Sequence, residues 1–125
     1  MLYQYGEFPD EQVNDYKTYL RKYIYFLLLC VDFNTAHFYK NIDVNKSFDT
    51  LLYKLDGLNE LLFYPEEIID IMSMLKEAQL TYNLPVFGKK EYKKYRRLVL
   101  DSGAKILELN DLENGLKEDV KNDLL

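Results

Sequence analysis

The chain has little of what most catalytic and metal sites are built from. Its 125 residues include one histidine, one cysteine, five glycines and no tryptophan. A single histidine excludes two-histidine metal sites and the HExxH zinc motif within one chain. There is also no CxxC pair, no glycine-rich phosphate loop and no GxSxG elbow. The sequence therefore predicts no catalytic residue, no metal site and no cofactor, and we expect a protein that is not an enzyme.

Cysteine and long apolar runs are equally scarce. The lone Cys30 cannot form an internal disulfide, so nothing in the sequence implies an oxidising compartment. The longest uninterrupted apolar run, from Tyr23 to Val31, has nine residues, whereas a membrane span needs about twenty. The N-terminus lacks the basic start and apolar stretch of a signal peptide. We therefore expect a soluble, cytoplasmic protein with no membrane partner.

What the chain does contain is typical of one globular domain rich in aromatic residues. It is 48% apolar and 30% charged, with a formal net charge of −5. Twelve tyrosines and seven phenylalanines are present. Tyrosine is favoured at protein interfaces because it offers a large contact area at a low entropic cost. The modest acidity argues against a general affinity for nucleic acid unless the basic residues are clustered.

Apolar residues recur at steps of three and four along most of the chain, which predicts amphipathic helices. Pro65, followed by Glu66 and Glu67, marks the clearest helix start. The predicted fold class is an all-α, single-domain bundle spanning residues 1–125. Its four long helices cover about residues 10–31, 46–63, 65–82 and 89–109, with a short helix near 34–41, an irregular lead-in at 1–8, and a short C-terminal helix within an acidic, frayed tail at 111–125.

Local features sharpen this prediction. Tyr23 to Val31 is apolar on nearly every face, so we expect the first helix to be central and wrapped by the others. Asn45 or Ser47 is expected to cap the second helix. Gly57 indicates either a bend or the close approach of another helix. The small residues around Gly103 are expected to admit a bulky Tyr or Phe of the first helix.

The most distinctive segment is KKEYKKYRR at residues 89–97, hereafter the basic segment. It holds six of the sixteen basic residues and has a local charge of +5. Three interpretations are open for its cations. They form the solvated side of a helix, with or without pairing of some of them to the acidic tail or to Glu66 and Glu67; they bind an acidic protein partner; or they bind nucleic-acid phosphates. Tyr92 and Tyr95 continue the apolar spacing of Val99, so we expect their rings to face the core rather than to stack on bases.

Three weaker candidates remain. Tyr19 and Tyr23 flank the apolar run and offer a second docking surface, for a partner or for a second copy in a homodimer. Cys30 and His37 indicate either a thiol–imidazole pair or a buried cysteine and a surface histidine. Glu66, Glu67 and Asp70 suit a divalent-metal or acid–base site, but the positive end of the helix dipole accounts for them fully.

Together these features favour a small protein–protein interaction module: an inhibitor, immunity-type or regulatory protein that binds and occludes a partner protein. The size and class resemble those of many small bacterial immunity and phage regulatory proteins, by architecture and not by any motif. The alternative is a nucleic-acid-associated regulatory factor that uses the same basic segment. The predicted partner-binding residues are Lys89, Lys90, Lys93, Lys94, Arg96, Arg97, Tyr19 and Tyr23.

Overall fold

Four long helices form the domain, as the apolar spacing predicts. A computed structural model describes residues 2–3, 6–7 and 10–124, and the side chains of residues 11–106. The helices are α1 (Asp10–Leu29), α2 (Val44–Leu61), α3 (Glu66–Tyr82) and α4 (Lys89–Leu124), with a 3₁₀ turn at Ala36–Tyr39. The all-α bundle is therefore confirmed.

The four helices are arranged as a closed ring. α1 packs on α2, α2 on α3, α3 on α4, and α4 returns to α1. The interface between α3 and α4 is the most extensive. The expectation that α1 is a central, wrapped helix is therefore wrong. α1 packs on two neighbours, α2 and α4, and Leu29 on its outer side is 40% exposed.

One apolar core fills the space inside the ring, and each helix contributes one stripe to it. Burial distinguishes adjacent apolar residues along a helix: Ile24 is fully buried whereas Tyr23 is half-buried, and Ile71 is fully buried whereas Met72 is half-buried. The side chains that are no more than 1% exposed include Leu20, Ile24, Leu27, Phe48, Leu51, Leu55, Leu58, Ile68, Ile71, Leu75, Tyr95, Val99 and Ile106.

Both chain ends differ from the prediction. The lead-in predicted as irregular contains two two-residue strands, β1 (Leu2–Tyr3) and β2 (Gly6–Glu7), which pair antiparallel. α4 does not end at residue 109 but continues to Leu124. Asn110 and Asp111 each cost a helix interior less than about 1 kcal/mol and no proline follows, so nothing forces the helix to stop. The side chains of the predicted acidic tail lie outside the described residues.

The start of α2 is capped by Asp43, which was not among the predicted caps. The Asp43 carboxylate, and not Asn45 or Ser47, accepts the backbone N–H of Lys46 at 3.1 Å. Asn45 instead exchanges side-chain hydrogen bonds of 2.9 and 2.7 Å with Asn83 at the end of α3. The start of α2 and the end of α3 are thereby joined by a polar contact that no helical period encodes.

The turn between α2 and α3 carries backbone strain. Phe63 and Tyr64 have φ values of 65° and 60°, in the left-handed region that glycine usually occupies at the end of a helix. Their side chains are 51% and 58% exposed. The Tyr64 N–H donates to the Asn59 carbonyl at 2.7 Å, and this bond closes the end of α2.

Two helical glycines lie in opposite environments. A Cβ atom added at Gly103 would lie 2.6 Å from Cε1 and Cζ of Tyr25, whereas one added at Gly57 would have no atom within 4 Å. The prediction that the small residues of α4 admit a bulky ring of the first helix is confirmed, with Tyr25 as that ring. The alternative that Gly57 admits a neighbouring helix is wrong, because the space beside it is open.

This contrast makes a matched pair of substitutions informative. Gly57→Ala is expected to stabilise the domain by about 1 kcal/mol, since alanine has the higher helix propensity. Gly103→Ala gains the same propensity but must displace the Tyr25 ring, and overpacking typically costs about 1–3 kcal/mol. Urea denaturation should therefore show Gly103→Ala less stable than Gly57→Ala. In a Tyr25→Ala background, Gly103→Ala should become stabilising. Equal effects of the two substitutions in the wild-type background would mean that the ring moves aside at no cost.

Candidate functional site

The basic segment forms the first turns of α4, and its six cations share one side of the helix. At about 100° of rotation per residue, they fall within an arc of about 160°. All six side chains are exposed. We call this surface the basic face; it consists of Lys89, Lys90, Lys93, Lys94, Arg96 and Arg97.

Only one cation of the basic face is paired among the side chains that the structure describes. Lys94 Nζ lies 3.1 Å from Glu77 Oε1 on α3, and both side chains are about half exposed. No carboxylate at positions 11–106 lies within ion-pair distance of the other five cations. The expected pairing with Glu66 and Glu67 is therefore absent from this part of the chain. Five like charges remain directed at solvent, on a chain whose net charge is −5.

The acidic residue inside the basic segment does not neutralise this face. The Glu91 carboxylate turns back and accepts the backbone N–H of Gly88 at 3.2 Å. This is one half of a capping box, in which the third residue of a helix satisfies the N–H of the cap residue. Glu91 therefore caps the start of α4 and forms no ion pair with the cations of the basic face.

Of the two tyrosines of the basic segment, Tyr95 faces the core as the apolar spacing predicted, whereas the prediction is wrong for Tyr92, whose half-buried ring is not packed against the core. Tyr95 is fully buried. Its ring centroid lies 6.0 Å from that of Phe48 and 6.0 Å from that of Phe87. Its hydroxyl donates to the backbone carbonyl of Leu27 at 2.7 Å. Tyr92 is half-buried and donates to Asp32 Oδ2 at 2.7 Å. The Tyr95 ring is therefore not available for stacking on nucleic-acid bases.

The Tyr92–Asp32 hydrogen bond ties the loop after α1 to the first turn of α4. This bond lowers the pKa of Asp32, and the Asn34 backbone N–H, 2.8 Å from Asp32 Oδ1, lowers it further. Burial raises the pKa of Tyr92, and the hydrogen bond to Asp32 adds to that rise. Asp32 is therefore ionised and Tyr92 protonated at neutral pH, so acceptor and donor both stay in the state that the bond requires.

An apolar, half-open cleft of about 540 Å³ lies where these elements meet. One wall comes from the loop after α1, and the other from the loop between α3 and α4 together with the first turn of α4. Its lining residues are Val31, Phe33, Phe87, Gly88, Lys89 and Tyr92. Lys89 belongs both to this lining and to the basic face, so the cleft and the basic face form one continuous surface.

This cleft was not predicted from the sequence. Phe33 is 92% exposed and Val86, beside the opposite wall, is 69% exposed. Both lie in segments predicted as loops. An apolar side chain in a predicted loop was the available signal, because loops are usually polar and run over the surface.

Tyr19 and Tyr23 lie on a different surface. Their ring centroids are 6.1 Å apart, and the Lys54 ammonium of α2 lies 5.5 Å from the Tyr19 ring centroid. Tyr19 is 45% exposed and Tyr23 is half-buried. The row continues through Phe26, whose ring centroid lies 5.2 Å from that of Tyr39 in the 3₁₀ turn. These contacts place the row on the α2 side of α1, whereas Tyr25 contacts α4. The two predicted docking surfaces are therefore separate.

The remaining candidates, Cys30, His37 and Asp70, lie in the surroundings of ordinary packing and surface residues. Cys30 is buried, and burial raises the pKa of its thiol. His37 is exposed, with its ring 4.0 Å from that of Phe38. The buried-cysteine and surface-histidine interpretation is therefore confirmed. Asp70 Oδ2 lies 3.7 Å from Lys105 Nζ of α4. Within the described residues, no three His, Cys, Asp or Glu side chains are grouped so as to hold a metal ion.

No family model, curated protein or solved structure matches the chain. Of the helices in the described part of the chain, none combines the length and apolarity that crossing a bilayer requires. The functional interpretation therefore rests on the basic face and the cleft beside it.

Proposed function

We propose that the protein is a small interaction module that binds an acidic surface of a partner protein through the basic face and thereby occludes that surface. An inhibitor, an immunity-type protein or a regulatory protein acts in this way. Since the lone cysteine needs no oxidising compartment, we place this activity in the cytoplasm.

One observation carries the proposal: five clustered cations without ion pairs among the described side chains. Like charges held together on one helix face repel one another, and the Lys94–Glu77 pair and the Asp32 carboxylate near Arg96 offset only part of that repulsion. A complementary negative surface would relieve it, accelerate association and select among partners. The burial of Tyr95 favours a protein over single-stranded nucleic acid, because base stacking supplies much of the affinity of single-strand binders.

Charge reversal on the basic face tests the proposal. The triple variant Lys93→Glu, Arg96→Glu, Arg97→Glu is expected to bind the partner at least about a hundredfold more weakly, since each reversal replaces an attraction by a repulsion. The partner is first isolated with the tagged wild-type chain from its native host. Its affinity for each purified variant is then measured by titration calorimetry.

The matched control reverses three exposed lysines elsewhere: Lys40→Glu, Lys46→Glu, Lys76→Glu. Both triple variants carry the same net charge, so a general charge effect would weaken both equally. An unchanged affinity of the basic-face variant would contradict the proposal.

The same variants also test the nucleic-acid alternative, with labelled single-stranded and duplex oligonucleotides. Binding at physiological salt that falls steeply with rising salt, and that disappears in the basic-face variant, would favour that alternative.

A further inference from the structure

The cleft leaves apolar surface exposed at a position where folding alone gives no reason for it. Phe33 is 92% exposed although it lies only four positions beyond Leu29, the last residue of the helix that supplies Leu27 to the core. A phenylalanine in this state forgoes most of the free energy that burial of its ring would yield. Phe87 and Tyr92 complete the walls from the other side, and both are half-buried.

The charges around the cleft determine what an occupant must carry. Among the described residues that line the cleft, Lys89 is the only charged one. Arg96 lies next to Tyr92 on α4 and is close enough to Asp32 and Tyr92 to affect the pKa of each. The Asp32 carboxylate, in turn, already accepts two hydrogen bonds, from Tyr92 and from Asn34. An occupant therefore meets an apolar interior and a rim that is mainly positive.

We infer that the cleft is an anchor site: it takes one aromatic or large aliphatic side chain from an acidic segment of the partner, while the acidic residues around that side chain meet the basic face. This inference rests on the proposed function and specifies the chemistry of its partner. Apolar anchors seated in a pocket and surrounded by charged residues carry most of the affinity in many interfaces.

The shape of the cleft supports a side chain projecting from a longer chain. A volume of about 540 Å³ lies within the range of sites that bind a compact group. Small-molecule sites usually enclose most of their ligand, whereas this cleft is half-open. Its open side continues onto the basic face through Lys89, so a bound segment can insert one residue and extend its neighbours across the cations.

Selection from a random peptide library displayed on phage tests the inference without knowledge of the natural partner. The immobilised full chain is expected to enrich acidic peptides that contain one large apolar residue. Synthetic copies of the enriched peptides are then titrated by fluorescence anisotropy. Replacing the apolar residue of the peptide with alanine should weaken binding at least about tenfold.

A pair of exposed phenylalanines provides the matched variants. Phe33→Ser removes a cleft wall and should weaken peptide binding at least about tenfold. Phe38→Ser removes a ring that is 73% exposed but does not line the cleft, and it should leave the affinity unchanged. Both side chains are largely exposed, so both variants are expected to fold, which circular dichroism checks.

The outcomes separate this inference from the proposed function. Acidic peptides that need the basic face but bind Phe33→Ser normally would overturn the anchor site and leave the proposed function standing. Enriched peptides without acidic residues, or no enrichment, would overturn the inference.

Sodium decanoate and phenylacetate are titrated in parallel and followed by NMR. Tight binding of either at the cleft without peptide enrichment would assign it to a small apolar acid instead. Concentration-dependent dimerisation that Phe33→Ser abolishes would assign it to a second copy.

Discussion

Replacing Leu27 with aspartate is expected to unfold the domain, whereas the same replacement at Leu29 should leave it folded. Leu27 is 0% exposed and Leu29 is 40% exposed, although they lie only two positions apart on α1. A carboxylate buried without a partner costs several kcal/mol, and the whole domain is stabilised by only about 5–15 kcal/mol. Both substitutions replace a leucine with an aspartate in the same helix, so the difference between their free energies of unfolding measures the effect of burial.

Far-UV circular dichroism and urea denaturation measure this difference. Leu27→Asp should lack a cooperative transition at neutral pH, while Leu29→Asp should retain one close to the wild-type midpoint. Leu28 is half-buried, so Leu28→Asp should fall between the two. A folded Leu27→Asp protein of wild-type stability would show that this face of α1 is not packed in the core.

The helices could be predicted from the sequence because each has to bury one stripe of apolar side chains. The recurrence of leucines in α2 and the Pro65 start of α3 determine element type and approximate length. The spacing did not determine which residue of an adjacent pair turns inward; in the folded domain Ile24 is fully buried and Tyr23 is half-buried. Lys17 shows the same limit: it is 1% exposed on the stripe of Val13 and Leu20, although a lysine counts as polar in any such pattern.

The basic face could also be predicted, whereas the cleft beside it could not. The cations of the basic face recur at a spacing that keeps them on one side of a helix, so assigning the segment to a helix is enough to place them on one surface. The cleft joins Val31 and Phe33 to Phe87 and Tyr92, more than fifty positions further along the chain. Both sets lie in or next to loops. Periodicity assigns a face to helical residues and says nothing about how two loops meet.

The strained turn after α2 illustrates a second kind of limit. A left-handed residue at a helix end is signalled by glycine or asparagine, and the sequence offers Phe63 and Tyr64 instead. The strain is visible only in the φ values of the folded chain. Gly103 is the opposite case, because a run of small residues in α4 predicted the close approach of a ring that the structure confirms.

Tyr95→Phe is expected to destabilise the domain by about 1–3 kcal/mol, because it removes a hydroxyl that completes the end of α1. In a continuing helix the Val31 N–H would donate to the Leu27 carbonyl, but it donates to Leu28 instead, at 3.1 Å. The Tyr95 hydroxyl takes its place on the Leu27 carbonyl at 2.7 Å. Burial raises the pKa of Tyr95 well above its ordinary value, so the hydroxyl remains a donor at any pH at which the protein is folded.

A larger loss is expected when the ring is removed as well. Tyr95→Ala should lower the free energy of unfolding by about 3–5 kcal/mol, since it opens a cavity among Phe48, Tyr82 and Phe87. Tyr53→Phe is the control, because Tyr53 is 80% exposed and its hydroxyl should matter by less than about 0.5 kcal/mol. Urea denaturation should therefore order the proteins as wild type and Tyr53→Phe, then Tyr95→Phe, then Tyr95→Ala. If Tyr95→Phe matched Tyr53→Phe, the Leu27 carbonyl would have another donor, and the hydroxyl of Tyr95 would not be what closes α1.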